Sequence, residues 1–70
     1  MVEEKYIGID CFKELFGFSD KAIENIRLNS KFGKSTIEMY RDVDSKRMVR
    51  HIVKFDFSLD IVCVLNINDE

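Results

Sequence analysis

The sequence predicts an α+β domain: two short helices meeting at a tight turn, an antiparallel β-hairpin, and a last segment that is a short helix or a third strand. Three observations carry this. The stretch KELFGFSDKAIENI, residues 13 to 26, places Gly17 between two phenylalanines and follows it with Ser19, so one apolar helix stops and another starts. Val49, Val53, Phe55 and Phe57 alternate on one side of a segment rich in β-branched and aromatic residues, the pattern of a half-buried strand. There is no proline and there are only three glycines, so no linker divides the chain and residues 1 to 70 read as one domain.

Each element follows from its punctuation. Asp10 is placed to cap a first helix over CFKELF, because its carboxylate can accept the free amide hydrogens of the first turn. Gly17 supplies the left-handed residue that ends helices, and Ser19 is a second N-cap with Asp20 in the first turn, where the helix dipole favours an anion. The second helix is expected from about Asp20 to Lys31, stopping at Gly33. STIEMYR and MVRHIVKFDF then form a hairpin over roughly residues 35 to 57, with DVDSK as its turn. In FSLDIVCVLNINDE, Ser58 is an N-cap for a helix, whereas Ile61, Val62, Val64 and Ile67 prefer a strand, so residues 58 to 67 stay open between the two.

Composition narrows the function. Seventy residues, 46% hydrophobic and 34% charged, suit a small globule with a marginal core. Two cysteines 52 positions apart, Cys11 and Cys63, are too few for a disulfide scaffold and point to a reduced, cytoplasmic setting, with both thiols in the core. The acidic start MVEEKYIGID is unlike a signal peptide, and no apolar run approaches membrane-spanning length, so a soluble protein is expected. The net charge of −2 hides an asymmetry: residues 1 to 20 carry −3, residues 21 to 56 carry +4 and residues 57 to 70 carry −3. A basic middle between acidic ends says more about a binding face than the total does.

Two helices joined by a glycine turn are the helix-turn-helix arrangement, in which the first braces the second for entry into the major groove. Phe12, Phe16, Phe18, Ile23 and Ile26 fall where the two helices would touch, with small Ala22 beside them. LFGFSDKAI resembles the LG-x-S-x-x-T-[IV] turn of small winged helix-turn-helix proteins of the phage excisionase and MerR-like type. That resemblance implies a helix-turn-helix followed by an antiparallel β-hairpin wing, and KRMVRHIVKFDFSLDIVCVL is similar to the wing layout. It implies a DNA-binding protein of a phage or mobile element, an accessory recombination factor or compact transcriptional regulator on double-stranded DNA, as a homodimer or cooperative assembly. Where that family has alanine four residues before the turn glycine, this chain has Lys13.

On this reading the DNA-binding residues are Lys21 and Asn25 on the exposed helix face, Arg27 and Lys31 flanking it, and Lys46, Arg47 and Arg50 on the wing, with Lys54 further along. Lysine and arginine hold phosphates, while an asparagine amide can pair with adenine. Leu28 and Phe32 lie on the same helix face and do not suit DNA; they define the alternative, a protein-interaction module or small inhibitor docking through an apolar helix face and the hairpin. An enzyme is not expected. FGKST lacks the first glycine of a phosphate-binding loop, having Leu28 in its place; nothing joins Cys11 to His51, and Cys11, Cys63 and His51 are too few for zinc. No cofactor or metal is expected, and His51 belongs at the edge of the core.

Overall fold

The computed structural model describes residues 2–43 and 47–67, and side chains for 3–40 and 49–66. Strand β1 (Val2–Gly8) runs directly into helix α1 (Ile9–Phe16), followed by α2 (Asp20–Leu28), β2 (Lys34–Val43), β3 (Arg47–Asp56) and β4 (Ile61–Ile67). The four strands make one sheet in the order β1-β4-β3-β2, every neighbouring pair antiparallel.

This overturns the helix-turn-helix followed by a wing. The chain begins with a strand, and that strand lies at the far edge of the sheet from β2. The helices therefore cross one face of the sheet from edge to edge, α1 touching β1 and β4 and α2 touching β2. Four strands at about 4.8 Å spacing put the edge strands only about 14 Å apart. One continuous helix over residues 9 to 28 would run about 30 Å. A break at Gly17 folds the connection back over the sheet. The turn that resembles a DNA-binding corner is here an αα-corner spanning a β-sheet.

The corner is built as its residues suggest. Gly17 adopts φ 70° and ψ 32°, its N–H donating to the Lys13 carbonyl, which also accepts from the Phe18 N–H at 3.0 Å. The Ser19 hydroxyl accepts from the Ala22 N–H at 3.1 Å, capping α2. Lys13, the departure from the alanine of the resembled turn, lies between Asp10 at 3.3 Å and Asp20 at 2.5 Å and so clamps the two helices. Asp10 is not a cap: α1 starts two residues earlier than expected, with Gly8 as N-cap, leaving Asp10 inside the first turn to face Lys13. Helix α2 ends at Leu28, short of Lys31, because Asn29 and Ser30 turn their side chains back onto the carbonyls of Asn25 and Arg27.

The core lies between the helices and the inner face of the sheet. Phe12, Phe55, Val53 and Val62 are fully buried, joined by Ile9 and Val64, with Phe16, Phe18, Ile23, Ile26, Ile37 and Met39 packed against them. Phe12 is the hub, its ring meeting those of Phe16, Phe18 and Phe55 at centroid distances of 4.7, 5.0 and 5.3 Å. Residues 58–67 take the strand alternative. The segment IVCVLNI is apolar on both faces, and β4 sits inside the sheet between β1 and β3. No helix among the described residues is long and apolar enough to cross a membrane.

Candidate functional site

Three large apolar side chains stand exposed at one end of the sheet. Leu28 closes α2 and is 70% exposed; Phe32, in the loop that follows, is fully exposed at 101%; Leu59, between β3 and β4, is 70% exposed. Their loops adjoin. The Phe57 N–H donates to the Gly33 carbonyl at 2.8 Å, and a Cβ built on Gly33 would stand 3.9 Å from the Ser58 nitrogen.

The loop around Phe32 is a two-residue hairpin turn. Lys31 and Lys34 exchange both backbone hydrogen bonds, N–H to O at 2.9 and 3.0 Å, and the two residues between them have positive φ, 55° at Phe32 and 73° at Gly33. Such turns favour Asn-Gly, since both central residues are left-handed. Phenylalanine there is strained by about 1 kcal/mol or more. Exposing its ring also forgoes the roughly 1.5–3 kcal/mol that burial of a large apolar side chain contributes. The ring is thus held out by a rigid turn, between the exposed Lys31 and Lys34.

The neighbouring turn is equally fixed. Asp56 Oδ1 accepts from the Ser58 hydroxyl at 2.6 Å and from the N–H groups of Ser58 and Leu59 at 3.1 and 3.2 Å, which holds the Asp56 carboxyl below the usual aspartate range. Asp60 is left-handed at φ 56°, and its carbonyl accepts from the Ile9 N–H at 3.4 Å.

The predicted DNA-binding residues do not form one surface. Lys21, Asn25 and Arg27 are exposed on α2, in the helical layer, whereas Arg50 lies on the opposite, uncovered face of the sheet, paired in register with Tyr40. Arg27 is held by Glu24, with Nε to Oε2 at 3.0 Å and a second contact from its Nη2, which raises the guanidinium pKa and lowers that of Glu24. Lys31 belongs to the Phe32 turn. Lys46 lies outside the described residues, as does the Arg47 side chain. Leu28 and Phe32 both stand exposed at this end of the sheet, but Phe32 is not on the helix: α2 ends four residues before it.

The cysteines correct another expectation. Cys11 is exposed on α1 and Cys63 half-buried on the uncovered face, so neither is in the core. Both point away from the inner face because the buried positions of their elements are Ile9 and Phe12 in α1 and Val62 and Val64 in β4. His51 is at the core edge as expected, 7% exposed, with Nδ1 2.5 Å from Asn66 Oδ1, Nε2 without a partner among the described residues, and the Phe16 ring set edge-on to it. Sequence reasoning missed Leu59. Its available signal was an apolar residue immediately before Asp60, flanked by polar Ser58 and Asp60 where no strand face was open to receive it.

No protein-family model matches the chain, and neither the curated proteins nor the solved structures contain a match.

Proposed function

We propose that this chain is a protein-interaction module of the cytoplasm whose contact surface is the end of the sheet that carries Phe32, with Leu28 and Leu59 beside it. One observation carries the reading: a wholly exposed phenylalanine on left-handed backbone, in a turn closed by two hydrogen bonds. The fold neither hides the ring nor relaxes the backbone beneath it, and strained residues that persist against their own preference collect at binding sites. An aromatic ring pre-set on a rigid turn loses little freedom on docking and makes the kind of central anchor on which interfaces depend. Lys31 and Lys34 on either side suit an acidic rim around an apolar pocket on the partner. The cytoplasmic placement is supported by Cys11 and Cys63, which are free thiols.

Double-stranded DNA remains the competing partner, supported by the +4 charge of residues 21 to 56 and by the exposed Lys21 and Asn25. A photo-crosslinking residue placed at position 32 in cells, compared with one at position 21, separates the two. The protein reading predicts a discrete protein adduct from position 32 and little from position 21. Adducts to duplex DNA from position 21, with amide shifts over residues 20 to 31 that fade as salt rises, would establish the DNA reading instead.

A further inference from the structure

The helices cover one face of the sheet and leave the other open. On the open face, Glu4, Leu65, Ile52 and Glu38 form one row across the four strands, and Tyr6, Cys63, Lys54 and Thr36 form the next. Further out on β3 lie Arg50 at one end and Asp56 at the other. The centre of the face, Leu65, Ile52 and Cys63, is apolar and half-buried with no layer above it. Between Tyr6, Leu59 and Leu65 it sinks into a concavity of about 430 Å³.

We propose that this face is where a second copy of the chain binds, in a two-fold dimer that stacks the two open faces. The charges select a second copy. Among the residues whose side chains are described, the face holds three cations, Lys34, Lys54 and Arg50, and three anions, Glu4, Glu38 and Asp56, a balanced mixture that suits a surface like itself rather than a strongly charged partner. A half-turn about a line lying in the interface and crossing the strands at Val53 exchanges residue 50 with 56 and residue 52 with 54 along β3. The same rotation exchanges 63 with 65 on β4, 4 with 6 on β1, and 36 with 38 on β2. Arg50 of each copy then stands over Asp56 of the other, Leu65 over Cys63, and no two like charges coincide.

The three hydrogen bonds to Asp56 all go to Oδ1 and leave Oδ2 available to the guanidinium of the other copy's Arg50. Stacked sheets related in this way keep their strands nearly aligned, the commoner sandwich geometry. Four strands of about seven residues present roughly 450 Å² per copy, so the pair buries on the order of 900 Å², near the lower limit for a specific interface. The dimer is therefore weak and concentration-dependent.

Sedimentation equilibrium of the full chain across a hundredfold range of concentration tests this. Wild type is expected to follow a monomer–dimer equilibrium. Arg50→Glu alone and Asp56→Lys alone should each weaken association at least tenfold by setting like charges opposite one another. An equimolar mixture of the two variants should recover it, since both charge pairs are then attractive. Because Asp56 also holds the β3–β4 turn, Leu65→Glu serves as a second disruptor and Leu28→Glu as its control on the helical side, each variant checked for native amide dispersion. A wild type that stays monomeric throughout, an Arg50→Glu variant that associates as well as wild type, or loss of the dimer in Leu28→Glu would overturn the proposal. Phe32→Asn should leave the dimer constant unchanged, so this inference and the Phe32 reading stand or fall separately.

Discussion

At the scale of single residues, hydrogen bonds decide where charge matters. The Tyr6 hydroxyl donates a hydrogen bond to Glu4, and with Cys63 beside it the phenol is pushed up to about 12. Asp56 is held closely by the fold, one of its oxygens taking three donors. Its folded pKa lies below the ordinary value of 3.8, so the stability it contributes is present above that value and is lost as pH falls through the lower, folded pKa. Asp56→Asn keeps an acceptor oxygen in the turn but cannot titrate. The urea midpoint of wild type should therefore exceed that of Asp56→Asn near neutrality, and the gap should close as pH drops below about 3.8. A gap that is constant down to the most acid point would mean that the carboxylate charge does nothing in the turn.

At the scale of elements, the helices, their corner and the hairpin were legible because each carries its own punctuation. Gly17 and Ser19 mark the corner, and the alternation of Val49, Val53 and Phe55 marks β3, which the structure runs from Arg47 to Asp56. β1 was not legible. In VEEKYIG a glutamate or lysine falls on both faces, as suits an edge strand open to solvent on one side, and this hides the period-two signal. What could have revealed it is β4: a strand apolar on both faces needs neighbours on both sides, and β3 supplies only one. Missing β1 turned an αα-corner over a sheet into a free-standing helix-turn-helix. The corner gives its own test. Gly17→Ala meets no atom within 4 Å, so its effect is backbone alone, and left-handed φ should destabilise by about 1 kcal/mol, read as a lower urea midpoint with unchanged slope. An unchanged midpoint would mean that the helix end relaxes out of that conformation.

At the scale of the whole molecule, 17 helical residues close one face of a four-stranded sheet, and among the described residues no helix covers the other face. Small domains bury a smaller share of their surface than large ones, so the outward-facing apolar residues of β3 and β4 are what the architecture leaves over. Phe32 is different in kind. A leftover apolar residue sits on relaxed backbone, whereas Phe32 occupies a conformation that asparagine or glycine would hold more easily. The candidate site was half legible for the same reason: Leu28 and Phe32 stood out as apolar residues on an otherwise polar stretch, but the turn that presents Phe32 depends on Lys31 pairing with Lys34, which no helical pattern foretells. Thermal unfolding of Phe32→Asn beside wild type tests the central claim most directly. If the ring is held out for a partner against the preference of its own turn, the variant melts several degrees higher, corresponding to about 0.5–1 kcal/mol. If it melts lower, the ring contributes to the fold of the free protein, and the case for Phe32 as a presented anchor fails.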